Sequence, residues 1–189
     1  MNKDRKELNT SIRQSLKSQG SLPKEEYTYT TRESKSYSGI SRHFSELYRK
    51  GDIVTINKSG TGIKVGQEGT IVQVNADTNS ICLVTSKGDV REINVKEHGD
   101  KISFFSEKET PLSYGDKVVF LKNNKRLKVQ NGLTGHIKNI TSTGDIVVVT
   151  DGGSKREVEF NIKDYNYLDH GYAVTDYKSQ GQTANKVLH

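Results

Sequence analysis

The 189-residue sequence has one cysteine, Cys82, two prolines, no tryptophan and no methionine after Met1. A single cysteine excludes an internal disulfide and any cysteine-based zinc site, and it fits a reducing compartment. No apolar run approaches the ~18 residues of a membrane span, and the opening Asn2, Lys3, Asp4, Arg5, Lys6, Glu7 lacks the apolar stretch of a signal peptide. The chain therefore reads as soluble and cytoplasmic, without membrane insertion. Hydrophobic residues make up 31% and mean hydropathy is −0.74, so the core is modest and is shared by one compact domain or two small ones. Chemistry is sparse as well. No G-x-x-x-x-G-K-[ST] loop occurs to cradle a triphosphate. His43, His98, His136, His170 and His189 have no metal-ligand spacing, and no Ser or Cys sits in a nucleophile elbow, so each reads as structural or exposed. GTGIKVG (60–66) lies between strand patterns and reads as a turn, and Cys82, in ICLV, reads as buried on a strand.

What is present is positive charge. Lys and Arg number 29 against 23 Asp and Glu, a net +6, and the acid-free stretch between Asp116 and Asp145 holds six cations: Lys117, Lys122, Lys125, Arg126, Lys128 and Lys138. Beside Asn123, Asn124 and Asn131 this hairpin would attract a phosphate backbone, although a solubilising face explains the charge equally well. Residues 4–19 place Leu8, Ile12 and Leu16 four apart, which predicts a helix whose apolar stripe needs a partner. Gly20 and Pro23 mark its end. Its cations (Arg5, Lys6, Arg13, Lys17) read, taken alone, as a solvated face. A short extended piece is expected around 26–30 and a helix over 41–48. Tyr27, Tyr29, Tyr37 and Tyr48 flank this linker, as sheet-edge or core residues or as base-stacking platforms.

An internal repeat organises the centre. GDIVTINKSGTGIKV (from 51) and GDKVVFLKNNKRLKV (from 115) match at an offset of 64, and ICLVTSKGDVREINV (81–95) aligns on IVVVTDGGSKREVEF (146–160), with Arg91 opposite Arg156. Chance duplication of generic strands is the alternative, but turns and strands follow the same order in both copies. Each copy predicts about five short strands, which suits an SH3-like or similar small barrel. Beyond it, Tyr172–Thr175 reads as a short buried strand, and Val187–Leu188 as the start of another, with Tyr165, Tyr167 and Tyr172 as packing residues. Both termini read as cuts within a longer protein.

HGYAVTDYKSQGQT (170–183) resembles motif V of superfamily-one helicases of the RecD type, and RKELNTSIRQSLKSQG (5–20) resembles the motif IV helix of the same lobe. GDKVVFLKNNKRLKVQNGLTGHI (115–137) is similar to the SH3-like insertion of that family. The additional copy at 51–95, with its SELYRKGDIV lead-in, is similar to conjugative relaxase-helicases of the F-plasmid TraI type. The resemblance implies an α+β fold: a partial RecA-like lobe interrupted by two tandem SH3-like small β-barrel modules. Its parts would be 1–50 (first part of the lobe and linker), 51–101 and 102–163 (modules one and two) and 164–189 (return to the lobe). Tyr177 stands where the family usually has His, which points to the degenerate helicase copy.

The implied function is a non-catalytic, single-stranded DNA-binding portion of a plasmid conjugative relaxase-helicase. Its implied DNA contacts are Arg5, Asn9, Arg13, Asn123, Asn124, Lys125, Arg126, Lys128, Thr175, Tyr177, Lys178, Ser179 and Gln180. No cofactor is expected in this stretch, whereas Mg and ATP are implied for the parent, a DNA relaxase (transesterase) and ATP-dependent helicase that passes to a recipient cell. The alternatives are a docking module recognised by a type IV secretion coupling protein, or part of an active RecD-like motor. A monomer is expected.

Overall fold

The computed structural model describes residues 2–35, 39–153 and 155–173. It is mostly β-sheet with few helices. The first helix, α1, spans Asn2–Ser18. It ends where Gly20 turns left-handed (φ 73) and the Ser21 and Gly20 amides reach back to the carbonyls of Leu16 and Lys17, the paired bonds of a Schellman stop. The face it buries differs from the expected stripe. Leu8 is 54% exposed, and the buried residues of the helix are Asn9 and Arg13. Polar side chains with fixed partners occupy the inward face, so apolar spacing alone misplaces it.

The chain divides into two compact units, the described residues of Met1–Arg32 with Lys108–His189, and those of Glu33–Glu107. Strand β1 covers Tyr27–Ser34 and strand β6 covers Ile102–Leu112. In the second unit β2 (Ile53–Ile56), β3 (Glu68–Asn75), β4 (Ser80–Thr85) and β5 (Val90–Asn94) follow β6 in the antiparallel order β6-β2-β3-β4-β5, with a short helix α2 (Val95–His98) after β5. Its core is largely aliphatic, with Tyr48 packed edge-on to Phe104 at 4.3 Å. Where a helix is expected over 41–48, the chain forms two 3-10 segments, Gly39–His43 and Ser45–Leu47. The cause is Asn79, whose amide donates to the His43 carbonyl (2.7 Å) and accepts from the Ser45 amide (2.7 Å) in place of helical partners.

In the first unit β7 (Lys117–Phe120), β8 (Thr134–Ile140), β9 (Asp145–Thr150), β10 (Glu157–Asn161) and β11 (Leu168–His170) form a sheet in the order β10-β9-β8-β7-β11. Here the core is aromatic: the ring centroids of Phe120, Phe160 and Tyr165 lie mutually 5.7–6.0 Å apart, and Tyr167 packs at a tilt 5.8 Å from Tyr165. Tyr165 and Tyr167 are thus packing residues. The last described strand is Leu168–His170, ahead of the strand expected at 172–175. Gly171 lies so close to β7 that a Cβ there would stand 2.8 Å from the Val118 carbonyl, and Tyr172 falls in a bend. The remainder of that expected strand, and the one at Val187–Leu188, lie outside the described residues. Cys82 sits on β4 but is only half-buried.

The repeat extends to individual backbone bonds. Each copy opens on a turn (Arg49–Asp52, Ser113–Asp116) whose third residue needs positive φ, supplied by Gly51 (91°) and Gly115 (82°). The closing Asp accepts the amide of the turn's first residue, at 3.1 Å in one copy and 2.7 Å in the other. Pairing of Val54 with Gly69 is echoed by Val118 with Gly135, and both second strands carry a bulge at the same point, Ile71/Gln73 and Ile137/Asn139. An outside cation meets each turn carboxylate: Lys35 on Asp52 (2.6 Å) and Arg13 on Asp116 (2.9 Å).

Candidate nucleic-acid interface

The β7–β8 connection is built around its asparagines. Asn124 accepts the Leu127 amide (3.0 Å) through its side chain and exchanges backbone bonds with Val129 (2.9 and 3.0 Å). Asn123 accepts the Asn131 amide (2.7 Å), while Leu127 and Val129 are buried beneath the loop. The two Asn side chains expected on DNA therefore spend their carbonyl oxygens shaping the loop. Lys128 sits in the left-handed region, φ 55. Its carbonyl and that of Leu127 both accept from the Arg156 guanidinium, the latter at 3.2 Å.

The six cations of the segment are unequal. Lys117 is 3.8 Å from Asp151, Lys138 is paired to Glu157, and Lys122 rides 4.7 Å over the Tyr167 ring. Arg126 stands 3.8 Å from Asp164, both exposed, a pairing water largely screens. Lys125 and Lys128 are exposed with no acid partner among the described residues. The usable positive charge is accordingly Lys125 and Lys128, with Arg126 beside them. Tyr114, which the sequence did not single out, is 61% exposed in the same unit.

The helix candidates face the chain itself. Arg5 lies 3.6 Å from Asp169, and the Asn9 amide clasps the Ala173 backbone, donating to its carbonyl (3.2 Å) and accepting its amide (2.8 Å). Arg13 donates to Asp116 through Nε (2.9 Å) and a terminal nitrogen (3.0 Å), and that nitrogen also reaches Glu26 (3.1 Å). Asp116 further accepts from Ser113 Oγ (3.0 Å) and the Tyr172 hydroxyl (2.6 Å). Burial alone would raise this carboxyl; the hydrogen bonds from Arg13 and Tyr172 and the guanidinium charge outweigh it and hold it below the usual range. A groove of about 320 Å³ runs beside α1, lined by Arg13, Lys17, Lys108, Pro111 and His170. Its cations are already committed, Arg13 and Lys17 to Glu26 and Lys108 to Asp169 (2.7 Å), which leaves little net charge for an anion. Burial pushes His170 below its ordinary value, and its Nε2 stands 2.9 Å from the Pro111 carbonyl. Thr175, Tyr177, Lys178, Ser179 and Gln180, and Tyr37 of the linker, lie outside the described residues.

Among the described residues no helix is long and apolar enough to cross a membrane, and no group of three or more His, Cys, Asp or Glu could hold a metal ion. The sequence matches no family model. It is similar to the conjugal transfer protein TraA of Rhizobium radiobacter, 40% identical over 79 residues, which is 42% of this chain and 7% of that protein. It is also similar to the conjugal transfer protein TraA of Agrobacterium fabrum (strain C58), 44% over 73 residues, and to the probable conjugal transfer protein TraA of Sinorhizobium fredii, 40% over 73 residues. The latter two matches cover 39% of this chain, and the matched stretch is 7% of each relative's length.

Proposed function

We propose that this chain is a single-stranded DNA-binding, non-catalytic portion of a conjugative relaxase-helicase, with the loop between β7 and β8 holding the phosphate backbone. The observation that carries the reading is the exposed Lys125 and Lys128, with no acid partner among the described residues, on a loop shaped by its own asparagines. Similarity to proteins named for conjugal transfer supports the setting. The finer architecture belongs to the same proposal: two SH3-like modules inserted in a RecA-like lobe, α1 standing for motif IV. The stretch following His170 would stand for motif V. ATP and Mg would serve the longer protein, since this sequence has no phosphate-binding loop of its own.

Fluorescence anisotropy with a labelled oligo-dT at low salt tests the reading on the whole chain. Changing Lys125, Arg126 and Lys128 together to Gln should weaken binding whatever the sequence and flatten its salt dependence by about 0.7 in slope per lost contact. A triple variant that binds like the parent overturns it. A second reading, docking to a secretion coupling protein, is favoured by the exposed Ile40 (76%) and Phe44 (51%) of the Glu33–Glu107 unit. It takes precedence if the triple variant keeps DNA binding and Ile40→Ser with Phe44→Ser abolishes transfer in cells.

A further inference from the structure

The two copies of the repeat turn the corresponding loop by different means. In the first, Gly60 (φ 99) and Gly62 (φ 76) supply the left-handed residues, a conformation that costs glycine nothing. At the matching positions the second copy has Asn124 and Arg126, and its left-handed residue is Lys128 instead. A lysine rarely adopts that region unless its surroundings hold it there. Beside the Asn124 bonds to Leu127 and Val129 and the bond from the Lys128 amide to the Lys125 carbonyl (3.2 Å), Arg156 holds it there from outside the loop: half-buried just before β10, it donates to the carbonyls of Leu127 and Lys128. Arg91, its counterpart in the first copy, is exposed, donates to the carbonyl of its own neighbour Val90 (3.0 Å) and stands 4.0 Å from Asp89. The same residue type at the same place in the repeat thus clamps a loop in one copy only, the copy that carries Lys125 and Lys128, exposed and with no acid partner among the described residues.

We infer that Arg156 is a positioning residue for nucleic-acid binding: it fixes the backbone at Leu127 and Lys128 and so presents Lys125 and Lys128 to a single-stranded phosphate backbone already in register. The inference rests on the loop reading above. A flexible loop carrying the same charges would have to be ordered on binding, at a loss of affinity. Arg156 therefore acts through geometry, and keeping its charge without its fork is insufficient, because an ammonium cannot reproduce two donors held in one plane.

The test uses the whole chain and a labelled oligo-dT, comparing R156K, K128G, the double R156K/K128G, R91K and K125Q/K128Q by anisotropy across a salt series, with thermal melting of each. R156K should bind about fivefold to tenfold more weakly, the range set by ordering one or two side chains, with its salt slope and melting temperature close to the parent's. R91K should bind as the parent does. In the K128G background the loop needs no clamp for φ, so R156K should cost clearly less there; this non-additivity separates positioning from direct contact. If K125Q/K128Q binds unchanged, the loop reading fails and the inference with it. If K125Q/K128Q is weakened while R156K binds normally, or R156K costs the same factor in both backgrounds, the loop reading stands and the positioning role of Arg156 is overturned.

Discussion

Replacing Arg13 with methionine would take the guanidinium from Asp116 while keeping most of the aliphatic stem. The carboxylate left behind is 0% exposed and retains the Ser113 amide at 2.7 Å, the Ser113 hydroxyl at 3.0 Å and the Tyr172 hydroxyl at 2.6 Å. Removing one partner of a buried pair costs about 3–5 kcal/mol, and three surviving donors put this case near the lower end, about 3 kcal/mol. The lost bond to the more exposed Glu26 adds little. For a chain of this length the loss corresponds to a drop of about 6–12 °C in melting temperature. Urea unfolding followed by tyrosine fluorescence would measure it, since the protein has no tryptophan. The pH dependence supplies a second check. Folded Asp116 titrates below its unfolded value, so its contribution is complete above about pH 3.9 and is lost as the pH falls through the folded pKa. Without Arg13 burial prevails and the carboxyl rises. The variant's penalty should then be largest at neutral pH and shrink on acidification, because a protonated Asp116 needs no countercharge. A loss below about 1 kcal/mol at pH 7, within the range of an ordinary substitution, or a penalty that grows toward acid, would refute the reasoning.

The matched glycines of the two copies should differ in tolerance. Ala at Gly135 places a Cβ 2.5 Å from the Val149 carbonyl and 2.6 Å from Val148, whereas Ala at Gly69 meets Leu83 Cβ at 3.1 Å. G135A should cost about 2–3 kcal/mol and G69A about 1 kcal/mol or less by urea titration. K35M, which removes the more exposed cation on Asp52, should lower stability by less than R13M, about 1–2 kcal/mol in the same assay. Purified protein should give no DNA-stimulated phosphate release above background in a coupled ATPase assay; turnover that follows the chain through purification would refute the proposed non-catalytic role.

The repeat was legible because turns leave a residue-level signature: Gly at a positive φ and Asp closing the hydrogen-bonded turn recur at fixed offset in Gly51–Asp52 and Gly115–Asp116. Helix α1 was legible from its period, but its inward face was not. Asn9 and Arg13 are buried because Ala173 and Asp116 meet them, and these partners are distant in sequence. The same limit applies to 41–48, where the deciding residue, Asn79, lies on another segment. In the candidate interface the charge was visible and its distribution was not. Lys117, Lys122 and Lys138 are occupied by Asp151, Tyr167 and Glu157, residues 19 or more positions away. Arg156 appeared in the sequence only as one matched arginine among several identities of the repeat.

Two copies with the same hydrogen-bond pattern in one polypeptide carry a hazard, since a strand from one could pair into the sheet of the other while the chain is still collapsing. Their interiors have diverged in a way that discourages the exchange. Ile56 stands where the second copy has Phe120, and Phe120 is the ring against which Phe160 and Tyr165 pack, at 6.0 and 5.8 Å. A first-copy strand that strayed into the second sheet would set the branched Ile56 in place of the flat Phe120 ring, losing its contacts with Phe160 and Tyr165 and filling the site with the wrong shape, a packing fault that disfavours the exchanged pairing. Making the copies alike inside, by F120I with matching changes at Phe160 and Tyr165, should leave the backbone pattern intact and slow the recovery of native protein after dilution from urea.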